Sequence, residues 1–121
     1  MYQTLGKVTI APSVLTTIVR LTAMEERGVS GLSAVAPNVR GLLAGGAAEE
    51  GIFVEVTEEG VHVEVHVVAE RNVNLLKLGE GLQTSITRAI EEMVGMQVSG
   101  VNVYIDGVVL ANDNDGQQHQ P

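Results

Sequence analysis

The segment His62-Val63-Glu64-Val65-His66 contains the side chains of this chain best suited to bind a metal ion. In a β-strand, alternate side chains project from the same face and lie roughly 7 Å apart. His62, Glu64 and His66 would share a face, and imidazole and carboxylate groups bind divalent metals. Metal ligands must converge within about 2 Å of the ion, whereas parallel side chains along a strand diverge. We therefore favour a solvated strand face and expect no cofactor, although Glu55 on a neighbouring strand could supply a further ligand.

Other motifs of chemical interest lack a partner that their chemistry requires. The glycine-rich run at residues 41–46 is not followed by the Lys-Ser or Lys-Thr pair that holds phosphate and magnesium. Residues 111–116 resemble a calcium loop, but Ala111 would occupy the position of the first aspartate. The serines have no elbow motif and no evident His and Asp partners. We therefore predict that the protein is not an enzyme.

Composition and charge narrow the classes of protein to which the chain can belong. It has 121 residues and a formal net charge of −8, with 7 Lys and Arg residues scattered along it. An acidic surface repels nucleic-acid phosphates and anionic lipid, so we expect no nucleic-acid partner. The chain has no Cys, no leader that is basic and then apolar, and no apolar run of membrane-spanning length. These features predict a cytoplasmic protein without direct membrane insertion.

The elements that position the His-Glu-His segment form a strand, a helix and a strand. Valines at 61, 63, 65 and 67 alternate with polar residues, an amphipathic helix is predicted over residues 74–94, and residues 101–105 alternate again. Such a unit is a parallel crossover, which is right-handed almost without exception. Residues 52–56 and 61–69 predict a hairpin that pairs Val56 with either Val61 or Val63. Both registers place the valines of the two strands on one face.

The first half of the chain gives weaker signals. Residues 7–10 predict a short strand, and Pro12 is suited to the first position of a helix. That helix carries an apolar stripe at residues 14, 15, 18, 21 and 24, and Gly28 is a natural stop. Residues 29–51 lack periodicity and predict a mobile connection with one helical turn at 39–44. We assign a single domain to residues 1–110 and a disordered acidic and polar tail to residues 111–121.

Together these elements predict an α+β fold. It is a two-layer sandwich in which two helices pack on one face of a small mixed sheet, made from the hairpin and the right-handed strand-helix-strand crossover. The aliphatic sheet face lies under the helices. The opposite face is predicted to carry Phe53, Glu55, His62, Glu64, His66, Asn102 and Tyr104.

With these elements placed, the chain resembles the alkaline shock protein family of bacterial general-stress and envelope-stress proteins. Residues 6–15, Gly-Lys-Val-Thr-Ile-Ala-Pro-Ser-Val-Leu, resemble the opening strand and helix start of that family. Residues 26–31, Glu-Arg-Gly-Val-Ser-Gly, resemble its Gly-Val signature. Residues 92–98 and 101–108 resemble its closing helix and VNV-type strand. The similarity covers nearly the whole predicted domain.

The resemblance implies a function that the residues alone do not. Membership of the family would imply that the protein has no catalytic residues and that it associates with itself. It would also imply recruitment to the inner face of the membrane by a membrane-anchored partner, in envelope homeostasis and stress. We therefore expect a non-enzymatic scaffold or adaptor that forms a homo-oligomer. Its candidate partner-binding residues are the seven on the polar sheet face. The alternative is a small-ligand or metal-binding module that uses His62, Glu64 and His66.

Overall fold

The computed structural model of the chain describes residues 5–34 and 46–110. Its elements are α1 (Pro12–Glu25), β1 (Val29–Leu32), β2 (Gly46–Glu49), β3 (Ile52–Thr57), β4 (Gly60–Ala69), α2 (Leu75–Ala89) and β5 (Val98–Val108). One π-helical turn, Ile90–Val94, extends α2. The predicted α+β fold with two helices and a mixed sheet is confirmed. The predicted turn at 39–44 and the predicted tail lie outside the described residues, and the domain boundaries stay a prediction.

Strand β4 lies at the centre of the sheet. Strand β5 runs parallel to it along one edge, as the predicted crossover requires. Along the other edge, β3 pairs with the first half of β4 and β1 with its last residues, both antiparallel. Strand β2 pairs with the outer edge of β3. Every long strand of the sheet is therefore positioned by contact with β4.

The hairpin between β3 and β4 adopts one of the two predicted registers. Val56 pairs with Val61, and Thr57 pairs with Gly60 across the intervening Glu58-Glu59 turn. The same register pairs Val54 with Val63. The aliphatic residues of both strands consequently share one face, as predicted.

The core fills the space between that aliphatic face and the helices. The four odd-numbered valines of β4, residues 61, 63, 65 and 67, are fully buried, together with Leu82, Ile86 and Ile90 of the second helical segment. The predicted stripe of α1 is partly wrong: Leu15 and Ile18 are buried, but Leu21 is 53% exposed. Val19 and Ala23 are buried instead. The buried face of α1 is therefore rotated from the predicted one.

Helix α2 begins and ends where its sequence provides caps. The Asn74 side chain accepts a hydrogen bond from the Lys77 backbone N–H at 2.9 Å, which satisfies one of the free donors of the first turn. Gly95 follows the π-helical turn with φ +82°, a conformation that glycine adopts without steric cost. Asn74 is thus the N-cap of α2. Neither this helix nor any other within residues 5–34 and 46–110 is long and apolar enough to cross a membrane.

Two predictions for the first half of the chain are wrong. The region between α1 and β3 contains strands β1 and β2, where we predicted an irregular connection. Their Gly, Ala and Ser content gives little strand propensity, so pairing with β4 and β3 determines their conformation. Residues 7–10 form no strand, because no described strand pairs with them. Leu5 and Val8 are 88% and 90% exposed.

The two glycines inside α2 differ in their surroundings, and neither packs closely on the sheet. A Cβ at Gly79 would meet no atom within 4 Å, whereas one at Gly81 would lie 2.6 Å from Glu26 Oε2. The Glu26 carboxylate accepts a hydrogen bond from Ser85 Oγ at 2.8 Å and links α1 to α2. Gly81 therefore leaves room for this link, while Gly79 has no such role.

This difference predicts a larger gain in stability for alanine at position 79 than at position 81. Gly79→Ala should raise the free energy of unfolding by about 0.5–1 kcal/mol, because alanine loses less conformational freedom than glycine when a helix forms. Gly81→Ala should gain less or lose stability, because its methyl group displaces Glu26. Urea denaturation followed by circular dichroism measures both, and a destabilised Gly79→Ala variant would argue against the open surroundings of Gly79.

Candidate functional site

The face of the sheet opposite the helices, called here the outer face, carries the predicted polar residues. Strand pairing aligns Glu55 with His62. It also aligns Glu64 with Asn102 and His66 with Tyr104 across the parallel β4–β5 ladder. Six of the seven predicted site residues thus form one continuous polar patch, because alternation in three adjacent strands directs them to the same side.

Phe53 is the exception, because it is buried. It pairs with Glu64 on one side and with Ala48 of β2 on the other, and it is only 4% exposed. The prediction of an exposed Phe53 is therefore wrong. Nothing in the residue pattern indicated β2, and alternation assigns Phe53 to a sheet face without showing how deeply its side chain is buried.

His66 is the centre of the most ordered part of the outer face. Its Nδ1 lies 2.9 Å from Asp106 Oδ2, and its Nε2 lies 3.3 Å from Glu64 Oε2. The Tyr104 ring stacks on the imidazole with ring centroids 4.6 Å apart and an interplanar angle of 14°. The His66 side chain is only 18% exposed. It is therefore fixed on two sides and covered on a third.

The hydrogen bonds around His66 define what the cluster can do chemically. Ionised carboxylates only accept hydrogen bonds, and a neutral imidazole donates from one nitrogen, whereas an imidazolium donates from both. The cluster presents an imidazole held between two carboxylates beside an exposed tyrosine, which is an ordered recognition surface.

Asp106 belongs to this cluster, although it was not among the predicted site residues. It lies two positions after Tyr104 in β5, so it shares the face of Tyr104. The alternation of residues 101–106 contains this signal. The irregularity in the β4–β5 pairing, between Val67 and Val68, lies next to it. The direct contact with His66 could not be derived from alternation alone.

A second, more exposed contact lies nearer the hairpin. Asn102 Nδ2 donates a hydrogen bond to His62 Nε2 at 3.3 Å. A Cβ at Gly100 would lie 3.3 Å from His62 Nδ1. The absence of a side chain at Gly100 therefore leaves space for the His62 ring beside β5. The two histidines of the segment thus have separate partners.

The arrangement does not favour a metal centre. Within residues 5–34 and 46–110, no group of three His, Asp or Glu side chains could hold a metal ion. Both ring nitrogens of His66 contact carboxylates, and His62 Nε2 contacts Asn102. These imidazole nitrogens are therefore engaged by neighbouring side chains and do not point toward a shared centre.

Comparison with known proteins gives a consistent family. Residues 1–110 match the profile of the alkaline shock protein 23 family, described as having a cell envelope-related function. The chain is 27% identical to the uncharacterized protein Spy1614 of Streptococcus pyogenes serotype M6 over 112 residues, which cover 90% of this chain and 93% of that protein. It is 28% identical to the uncharacterized protein YqhY of Bacillus subtilis over 112 residues, which cover 86% of this chain and 78% of that protein.

Among solved structures, the MamM CTD superposes with a TM-score of 0.49 at 6% identity, over 78% of this chain and 96% of that chain.

The profile match extends over both helices and all five strands of the described fold. The resemblance to the alkaline shock proteins is thereby confirmed. The chain belongs to the alkaline shock protein 23 family, whose function is related to the cell envelope.

Proposed function

We propose that this protein is a non-enzymatic scaffold or adaptor of the cell envelope. It associates with itself and binds a membrane-anchored protein partner at the cytoplasmic side of the membrane, in envelope homeostasis or the response to envelope stress. The envelope-related description of the family supports the setting. The geometry of the outer face supports binding of a protein partner, because its side chains are ordered by contacts with one another.

The observation that carries the proposal is the cluster around His66. A merely solvated strand face needs no internal order, yet here two carboxylates and a stacked tyrosine hold one imidazole that is 18% exposed. Ordered side chains lose less conformational entropy on binding. Tyr104 remains 42% exposed, and tyrosine is among the residues that contribute most to protein interfaces. The cluster is therefore suited to bind a protein.

Charge supports a protein partner over direct binding to lipid. The net charge of −8 opposes contact with an anionic membrane surface. Carboxylates at positions 55, 64 and 106 lie on the outer face itself. A complementary partner would present Lys or Arg side chains to this face. No observation in the described part of the chain favours the alternative of a metal-binding module.

Sedimentation with membranes tests the proposal. Purified protein is mixed with inverted membrane vesicles from the source organism, with the same vesicles after protease treatment, and with protein-free vesicles of anionic lipid. We expect the protein to sediment with the untreated membranes only. Equal sedimentation with lipid vesicles would indicate direct lipid binding, and sedimentation with none of the three would contradict the partner.

A further inference from the structure

Strand β5 has an edge with backbone groups that point away from the sheet. Among the described strands, β5 pairs with β4 alone. The backbone N–H of His66 donates to the Gly51 carbonyl, and the His66 carbonyl accepts from the Ser33 N–H. Backbone groups of successive residues in a strand point to opposite sides, so the N–H and C=O groups of Val65 and Val67 point toward β5. In each aligned pair of a parallel ladder, one residue makes both backbone hydrogen bonds to the neighbouring strand, and its partner makes none. Val103 and Ile105 are the partners of Val65 and Val67, so their backbone N–H and C=O groups point away from the sheet.

The open edge borders an apolar groove. The groove lies between β5 and α2, and it is lined by Leu75, Leu76, Gly79, Glu80, Gln83, Val103 and Ile105. Gln83 Nε2 donates a hydrogen bond to the Val101 carbonyl at 3.0 Å, which satisfies one outward group of the edge. Leu76 is 73% exposed. An open edge beside an apolar groove is the arrangement that binds an added strand, since backbone bonds hold it and alternate side chains enter the groove.

The chain itself contains a segment with the matching pattern. Residues 7–10, Lys-Val-Thr-Ile, have strand propensity, but they pair with no described strand. Val8 is 90% exposed and Ile10 is 39% exposed. In an extended segment, these two side chains share one face, and Lys7 and Thr9 share the other. The pattern would place two aliphatic side chains in the groove.

Charge agrees with this placement. With Val8 and Ile10 facing the groove, Lys7 lies on the side of the outer face. The acidic side chain of β5 on that side is Asp106, which is 33% exposed. Lys7 would thus lie on the same side as the Asp106 carboxylate, and this pair of opposite charges favours the contact between two copies that are each acidic.

We propose that residues 7–10 of one copy add a strand to the open edge of β5 in a second copy. This inference rests on the self-association proposed above and names its interface. Because the donor segment and the acceptor edge are different surfaces, the contact is heterologous. It can close into a symmetric pair by exchange of both segments, or it can continue from copy to copy.

Cysteine cross-linking tests the contact, since the natural chain has no Cys. A Thr9→Cys chain is mixed with an Asn102→Cys or an Asp106→Cys chain, which sample two registers on the outer face of β5. Facing residues of adjacent strands have Cβ atoms close enough for a disulfide. We expect the Thr9→Cys chain to form a disulfide-linked dimer with one of these chains at least about tenfold faster than it does with a Leu21→Cys chain. Leu21 is the control because it is 53% exposed on α1.

The same reagents identify other occupants of the edge. Preferential self-cross-linking of the Asn102→Cys chain would indicate that two β5 edges pair with each other, and it would overturn the proposal. Closure of a double Thr9→Cys and Asn102→Cys chain within one molecule, at a rate independent of concentration, would indicate docking in cis and would also overturn it. Equal rates with the Leu21→Cys control would show that no specific contact exists.

A charge in the segment separates failure of this inference from failure of the proposed function. Val8→Asp should raise the dissociation constant for self-association at least about tenfold in sedimentation velocity, while Leu21→Asp should leave it unchanged. Val8 is 90% exposed, so we expect the variant to fold, and a thermal melt checks this. If the parent associates and Val8→Asp associates equally, the segment is not the contact. A parent that stays monomeric at every concentration contradicts self-association itself.

Discussion

Replacing Leu82 with alanine should lower the free energy of unfolding by about 2–5 kcal/mol, the range for large-to-small changes at buried positions. Leu82 is fully buried in the cluster that joins α2 to the valines of β4. The change removes apolar contacts and leaves a cavity that a packed helix-sheet interface fills only in part. Urea denaturation followed by far-ultraviolet circular dichroism measures the loss.

Leu76→Ala is the matched control, because the same change is made in the same helix at a position that is 73% exposed. Its effect should lie within about 0.5 kcal/mol of the parent. Both measurements use dilute protein, so that self-association does not add to the apparent stability. Similar losses in the two variants would contradict the assignment of α2's buried face.

Gly60→Ala should cost about 1–3 kcal/mol of unfolding free energy, which is the range for a strained backbone conformation. Gly60 follows the hairpin turn with φ +127°, where residues with a side chain are rarely found. An added Cβ would also lie 2.6 Å from the Gln97 carbonyl oxygen. That carbonyl accepts a hydrogen bond from the Val61 N–H at 2.8 Å, so it cannot move without loss of a β4–β5 contact.

Gly95→Ala separates the cost of backbone strain from the cost of the steric contact with Gln97 at position 60. Gly95 has φ +82°, and a Cβ there would meet no atom within 4 Å. In this variant only the left-handed backbone conformation disfavours alanine, because its Cβ crowds the carbonyl oxygen, at a cost of roughly 1–2 kcal/mol. Chemical denaturation of both variants should show the larger loss for Gly60→Ala. Equal losses would mean that the close approach of β4 to residue 97 contributes nothing.

The sequence allowed prediction of the sheet centre and the residues on its outer face. Strict alternation in β4 and β5 determines which side chains face the helices, and alternation has only two outcomes. Parallel pairing then follows from the helix between the strands. For this reason alternation alone assigns His66 and Tyr104 to the same face.

What the sequence could not supply depends on contacts between distant residues. Strands β1 and β2 take their conformation from pairing partners, and their own residues favour no regular structure. The pairing of Phe53 with Ala48 depends on β2, and the burial of Phe53 does not follow from alternation. The contact of Asp106 with His66 depends on register, which alternation does not give. In each case the missing information is a tertiary contact between residues far apart in the sequence.

The two proposed surfaces are compatible with each other. The outer face and the open edge of β5 meet at Asn102, Tyr104 and Asp106, so an added strand would extend the outer face and leave it uncovered. Its Lys7 and Thr9 side chains would join that face. Self-association would then enlarge the surface offered to a partner, and it would present several copies of that surface to one membrane.

Binding of a Tyr104→Ala variant to membranes tests the central claim most directly, that the outer face holds a membrane-anchored protein. Sedimentation with untreated inverted vesicles should weaken at least about tenfold, which is the effect expected of a residue that contributes strongly to an interface. A Leu21→Ala variant, changed on the opposite layer, should sediment like the parent. Unaltered binding of a folded Tyr104→Ala variant would contradict the claim.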